Sequence, residues 1–271
     1  MPADREPPAD TMPPADLAAD LAELPAAFSA AARQMPSPLR SLLVDNAPTY
    51  SVDAAALAAA LPFLPLDMPM GSAADVVSMT GLIDTKGCAA LRGAVDARRD
   101  EVFDSVDGSA DHQLNLSESE LEELIGSEQL DAIRQAARDL DLRCGGSGAR
   151  ELPLIEAFVR RYTPATRPWH PFHQDRAYAT VNVALSDDCA HVGGRLVGLF
   201  ADGAEAFERS AGGATVHLSR IVHGVTRMES GVRYSLICFL GHEPAVRRQI
   251  VREMADDGEL VERWSRVVVE P

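Results

Sequence analysis

The chain has 271 residues, 46% of them hydrophobic, so it can bury the core of one large domain or of one domain with an appended segment. Its 25 lysines and arginines face 41 aspartates and glutamates, and the formal net charge of -16 repels phosphate backbones and anionic lipid, which excludes nucleic acid and membrane surfaces as expected partners. The same charge keeps a protein in solution and would attract a cationic substrate.

Four cysteines, Cys88, Cys144, Cys189 and Cys238, form no CxxC pair and no dense framework. That usage fits a reducing compartment. No apolar run approaches the roughly 20 residues that span a bilayer, and Met1 is followed by Pro2 and acidic residues rather than a basic and then apolar signal segment. The expectation is a soluble intracellular protein of the cytoplasm, without signal peptide or transmembrane segment, an organellar address remaining open.

In chain order, residues 1–16 repeat Pro-Pro-Ala-Asp and read as a disordered arm, because proline and acid cannot pack a core. Residues 17–75 read as a helical extension and linker. Leu17, Leu21, Leu24 and Phe28 recur at helical spacing behind Asp16, a second helix over 51–61 stops at Pro62, and 62–71 is proline-rich. Residues 76–271 read as the main domain. A short strand and turn lead to a helix that aligns Cys88, Leu91 and Val95, and Ser117 with Glu120 has capping-box spacing ahead of Leu121, Leu124 and Ile125. Leu130, Ile133, Ala137 and Leu140 continue that helical stripe, so 76–150 form a helical support. Cys144 to Gly148 is a glycine-rich turn lacking the ending of a phosphate loop.

After Glu151 the texture is that of a β protein, with strands expected near 152–162, 178–185, 194–200, 213–218, 221–227 and 232–240. The fold class expected is α+β or mainly β: a jelly-roll core over about 151–241, supporting N-terminal helices, and a C-terminal helix over 243–256. Cys238, alternating with apolar neighbours, reads as core.

His173 and Asp175 form an HxD triplet, and alternation in an extended segment lets residues two apart point the same way. With His223 in the run IVHGVT they make up a two-histidine, one-carboxylate set, which suits ferrous iron with open coordination positions. Arg233 and Ser235 share a face of the apolar strand VRYSLICFL, where an unpartnered charge is costly; a guanidinium fork beside a hydroxyl is a carboxylate clamp. His170 reads as a loop or substrate-side residue, and His217 as a hydrogen-bonded core histidine. His112, His191 and His242 read as surface residues. Trp169 either lines an entrance or shields the core, and Thr180 and Asn182 share one face of a strand.

HQD at 173–175, VNVALS at 181–186, GGRL at 193–196, GGATVHL at 212–218, IVHGV at 221–225 and RYSL at 233–236 follow one another in an order and spacing that resemble the Fe(II)- and 2-oxoglutarate-dependent dioxygenases, particularly the prolyl 4-hydroxylase-like branch. The resemblance covers about 161–240. It implies a double-stranded β-helix of cupin type with metal ligands at one open end. It also implies that His173, Asp175 and His223 bind iron and that Arg233, assisted by Ser235, pairs with the distal carboxylate of 2-oxoglutarate. Tyr162 matches a place where relatives often have a tyrosine near the co-substrate, and Thr180 and Asn182 become candidates for the same pocket. Arg195 stands where relatives commonly have an acid, which puts it with Trp169 and His170 on the substrate side.

Dioxygen would be the oxidant and ascorbate a supporting reductant. The expected outcome is hydroxylation of an unactivated C–H bond in an amino acid, a peptidyl residue or another small molecule, with release of succinate and CO2. Desaturation, cyclisation or demethylation by the same oxidant is the alternative. Asp175 speaks against halogenation, since halide-transferring relatives lack this carboxylate. A non-catalytic metal-binding jelly-roll regulator is the alternative from another class. Substrate identity and oligomeric state are not fixed by these residues.

Overall fold

A computed structural model describes residues 71–104, 110–200, 203–226 and 228–242. The arm, the helices and most of the linker expected before residue 71, and the helix expected over 243–256, lie outside the described residues.

The first described strand, β1 (Val76–Met79), is followed by helix α1 (Thr85–Ala97), whose N-cap Asp84 accepts a hydrogen bond from the Gly87 amide. Cys88, Leu91 and Val95 form its buried face. Strands β2 (Asp100–Phe103) and β3 (Ala110–Leu116) precede α2 (Glu118–Ile125), which carries the expected capping box between Ser117 and Glu120. The stripe read as continuing from α2 is a separate helix, α3 (Ser127–Arg143). Gly126 divides the two at φ +85°, ψ 156°, backbone open only to glycine.

The rest is strand: β4 (Leu154–Tyr162), β5 (His170–His173), β6 (Ala179–Ala184), β7 (Val192–Gly193), β8 (Leu196–Phe200), β9 (Gly203–Phe207), β10 (Ala214–Leu218), β11 (Val222–Val225), β12 (Met228–Ser230) and β13 (Arg233–Leu240). All six strands expected after Glu151 are present within a few residues of their expected ends. Strands β2, β3, β5, β7, β9 and β12 were not anticipated.

Among the described residues two main antiparallel sheets form, one ordered β1-β10-β6-β13-β4-β3-β2 and the other β5-β11-β8-β9, and β12 pairs with β7 in a third of two strands. From β4 onward the chain crosses repeatedly between them: β4 in the large sheet, β5 in the small, β6 in the large, β8 and β9 in the small, β10 in the large, β11 in the small, β13 in the large. This winding is a double-stranded β-helix, or jelly roll.

The large sheet's two faces have opposite chemistry. On one, Val181, Val183, Val216, Leu236 and Cys238 join Leu91, Val95, Leu121, Leu130, Ile133 and Leu140 of the helices in a single core. Cys238 is fully buried there, its thiol pushed up to about 12 by burial. Side chains alternate along a strand, so Thr180, Asn182, Thr215, His217, Arg233, Ser235, Tyr162 and Arg160 project to the other face. A smaller cluster of Tyr162, Leu196, Phe200, Phe207, Val225 and Met228 joins that inner face to the small sheet. No helix among the described residues is long and apolar enough to cross a membrane.

Candidate metal and co-substrate site

β5 and β11 run antiparallel with His173 directly opposite His223, which brings the two imidazole centroids to 4.4 Å. Asp175, just past the end of β5, reaches back: its Oδ1 lies 3.3 Å from His173 Nε2 and its Oδ2 lies 3.7 Å from His223 Nε2. Donor atoms of the three residues all fall within 4.8 Å of one another. The set is therefore compact enough for one ion, and its two nitrogens and one oxygen suit a first-row transition metal such as ferrous iron.

Electrostatics prepare these groups. Burial raises the Asp175 pKa, but His223, His173 and His217 outweigh it and hold the carboxyl well below the usual range. Burial drives His223 well below an ordinary imidazole. The carboxylate and the neutral imidazole are the forms that bind a metal. Thr180 Oγ1 donates to Asp175 Oδ2, and His223 Nδ1 sits 3.2 Å from the Ile221 carbonyl. A proton on Nδ1 leaves Nε2 as the donor to metal. Thr180, expected as a candidate for the co-substrate pocket, spends its hydroxyl hydrogen on the Asp175 carboxylate.

Two more histidines crowd the group. His217 is buried as expected, with Nδ1 3.1 Å from the Leu218 carbonyl, but its Nε2 also points to Asp175 Oδ2 at 3.7 Å and its ring lies 4.5 Å from that of His223. His170 is not in a loop: it lies on β5, buried to 2%, with Nε2 3.0 Å from Asp104 Oδ2. That aspartate belongs to a buried cluster in which Arg160 bridges Asp104 and Asp111 at 2.8 Å each and Arg167 Nε meets Asp111 Oδ1 at 2.9 Å. The cluster ties the β2–β3 hairpin to the strand carrying His173, and the His170 ring lies 4.4 Å from that of His173.

His191 and His112 also depart from a surface reading. His191 is 5% exposed, with Nδ1 2.8 Å from the Gly193 carbonyl and Nε2 3.6 Å from Asp188; His112 is half-buried against the Val95 carbonyl. His242 is exposed as expected.

The same inner face carries the second part of the site. Arg233 is 1% exposed, yet apart from the neighbouring Tyr162 side chain none of its three guanidinium nitrogens has a well-formed hydrogen bond among the described residues. Ser235 Oγ, fully buried two residues on, has none either. Tyr162 faces Arg233 across the β4–β13 pairing, with the guanidinium carbon 4.7 Å from the ring centre, a cation–π contact. Burial lowers the Arg233 pKa, while Tyr162 and Asp188 favour its charge. A charge so buried and so poorly paired is stable only with an anion. Gly194 passes close by at φ +64°, where an added Cβ would strike Met228 Sδ and crowd Arg233 Cδ.

Asn182 faces inward, but its Oδ1 accepts from Arg209 Nη1 at 2.9 Å. Arg209 was missed in the sequence: it follows the short β9 segment in the polar run Glu208 to Ser210 and has no spacing relation to the other groups. Arg195 leans toward Asp188, its Nη1 3.8 Å from Oδ2 and its side chain 36% exposed. Trp169 is half-buried immediately before β5.

Fold and site together define a jelly-roll protein with a compact donor set at β5, the turn after it and β11, and on β13 of the same interior a buried arginine without a well-formed hydrogen bond among the described residues. No protein-family model matches the chain, and no curated protein matches it in sequence. Among solved structures it is similar to a Pseudomonas putida prolyl-4-hydroxylase, at TM-score 0.47 and 18% identity over 63% of this chain and 94% of that one. It is also similar to the viral collagen prolyl hydroxylase of Paramecium Bursaria Chlorella virus-1 in its 2OG complex, at TM-score 0.46 and 14% identity over 63% and 97%. The non-heme alpha ketoglutarate dependent carbocyclase SnoK from nogalamycin biosynthesis gives TM-score 0.46 and 14% identity over 66% and 86%. At such scores the functional reading rests on the chain's own residues.

Proposed function

We propose that this chain is an Fe(II)- and 2-oxoglutarate-dependent dioxygenase that hydroxylates an unactivated C–H bond of an amino acid, a peptidyl residue or another small molecule. The observation that carries the reading is the buried Arg233 and Ser235 pair, without a well-formed hydrogen bond among the described residues, in the same β-helix interior as His173, Asp175 and His223. A metal holder has no use for a carboxylate clamp, which weighs against a purely regulatory metal protein. Desaturation, cyclisation and demethylation use the same machinery, and no residue of the site favours one of them.

In this reading His173, Asp175 and His223 hold the iron. When bound, iron activates dioxygen while 2-oxoglutarate is oxidatively decarboxylated to succinate and CO2. Arg233 and Ser235 bind the distal carboxylate and so orient the co-substrate's other end toward the ligand set. Tyr162 stacks on Arg233 and limits its rotation, and the apolar Leu196, Val225 and Met228 keep water from that end of the pocket. Thr180 donates to Asp175 Oδ2 and so holds the carboxylate in place beside His173 and His223.

Anaerobic titration of the full chain with Fe(II) and 2-oxoglutarate tests the reading through the metal-to-ligand charge-transfer band. The band is expected in wild type, is lost in His173→Ala and His223→Ala, and in Arg233→Ala requires on the order of 100-fold more 2-oxoglutarate while iron binding persists. A wild-type chain without the band would overturn the proposal. Admission of oxygen with panels of amino acids and peptides, with and without ascorbate, then reads out the substrate class through succinate release.

A further inference from the structure

Arg209 lies just beyond β9 and is 7% exposed. Its backbone N–H donates to Asp188 Oδ2 at 3.0 Å, and its Nη1 donates to Asn182 Oδ1 at 2.9 Å and to the Asn182 carbonyl at 3.3 Å. Asn182 projects from β6 into the interior, in register with Thr215 of β10 and Ile237 of β13; the next inward position of β13 is Ser235. Arg209 is thereby led to the interior face that carries the clamp. Its Nε and Nη2 have no hydrogen-bond partner among the described residues, and neither does Thr215 Oγ1.

The charges around it do not balance. Asp188 is the carboxylate near Arg209, with Oδ2 4.0 Å from Nε, and the same oxygen lies 3.8 Å from Arg195. Burial, and then the proximity of Arg233, depress the Arg209 pKa to about 9, Asp188 only partly compensating. Two buried guanidiniums that repel each other near Asp188 leave a positive seat, with five guanidinium nitrogens and two hydroxyls lacking a well-formed hydrogen bond among the described residues. Such an arrangement persists where a ligand supplies the missing negative charge and acceptors.

We propose that Arg209 is a second guanidinium of the co-substrate pocket, oriented by Asn182, so that the distal carboxylate of 2-oxoglutarate is shared between Arg233 with Ser235 on one side and Arg209 on the other. The inference rests on the proposed function and adds a residue to it. It gives a specific consequence: Arg209 discriminates for a distal carboxylate and is indifferent to the 2-oxo acid end.

Binding of 2-oxoglutarate and of 2-oxovalerate, which has the same carbon chain without the distal carboxylate, is measured by the charge-transfer band of the anaerobic Fe(II) protein. In Arg209→Gln the affinity for 2-oxoglutarate falls about 10- to 100-fold, the range expected for a lost charged hydrogen-bonding partner, while 2-oxovalerate binds as in wild type. Equal weakening of both acids would show that Arg209 only holds the fold, and unchanged binding of both would show that it does not reach the ligand; either result overturns the inference. Should Arg209→Gln fail to fold, Arg209→Lys keeps the charge without the fork and is expected to weaken 2-oxoglutarate alone, about 3- to 10-fold; no selective loss in that variant is equally decisive against it. Failure of wild type to bind 2-oxoglutarate strikes the proposed function, whereas loss in Arg233→Ala with wild-type binding in Arg209→Gln strikes only the role of Arg209.

Discussion

Thr180 illustrates how one side chain governs a ligand it does not replace. Its hydroxyl donates to Asp175 Oδ2, the oxygen that also faces His217 and His223 at 3.7 Å. Thr180→Val keeps the shape and removes the donor, so Asp175 loses its orientation while the strand stays packed. Metal affinity should fall about 10-fold, within the range for groups behind a ligand, and a competition titration with a chromophoric chelator reads this directly. The sequence showed Thr180 as an inward polar residue and no more. Deciding between ligand support and co-substrate contact needs the position of Asp175, which the β5–β6 turn sets. His173, His223, Arg233 and Ser235 stand out in the sequence because each is a chemically distinctive residue on an alternating strand, and Asp175 because it lies two residues after His173, just past β5. His170 was not placed on a strand because its partner Asp104 comes from another part of the fold; the burial of His191 was missed although Asp188 lies three residues before it, because the short turn over Asp188–Ala190 leaves no periodic signal.

Among the elements, the helices support the large sheet and their boundaries are set by single residues. Gly126 separates α2 from α3 in a conformation an L-residue resists, with open space around its Cα. Gly126→Ala should therefore cost about 1–3 kcal/mol from backbone strain alone, seen as a lower urea midpoint with an unchanged slope. At the opposite edge of the sheet Asp75 receives the Ser72 amide and Arg220, fastening the start of β1 to the turn before β11 and His223. Burial raises the Asp75 pKa, but Arg220 and the Ser72 amide outweigh it and leave it lowered. A carboxyl lowered by folding adds stability above its ordinary pKa and loses it as pH falls through the folded value. Asp75→Asn should accordingly cost about 1 kcal/mol at neutral pH, modest because the Arg220 side chain is 46% exposed. The gap to wild type should close below about pH 4, as thermal melts across pH will show. Strands such as β6 and β13 could be read because one face is apolar. Strand β3, Ala-Asp-His-Gln-Leu-Asn-Leu, could not: Asp111 and Gln113 point inward to Arg160, which inverts the usual relation between polarity and exposure.

For the molecule as a whole, the separation of faces on one sheet decides what each half of the chain does. Helices α1 to α3 cover the apolar side, and the polar side is left to the small sheet and the site. A core substitution on the helix side, such as Leu91→Ala, should lower stability by about 2–5 kcal/mol and leave 2-oxoglutarate affinity unchanged in the fraction that remains folded; parallel calorimetry and band titrations separate the two. The jelly-roll class was legible from strand number and punctuation. The hairpin of β2 and β3, which widens the large sheet beyond β4, was not, since nothing local to a polar segment announces pairing with a strand 40 to 50 residues away.

The central place of β13 has a consequence in time. Residues 233–240 pair on one side with β6 and on the other with β4, so they join two blocks, β1-β10-β6 and β4-β3-β2, that share no other strand pairing among the described residues. A ribosome delivers this strand after every other described strand, and until it emerges both blocks present raw edges to neighbouring chains. The strand that closes the sheet is also the one that brings Arg233 into the interior. Completion of the sheet and completion of the proposed anion seat are thus a single event, and a nascent chain has neither until its last described strand is in place.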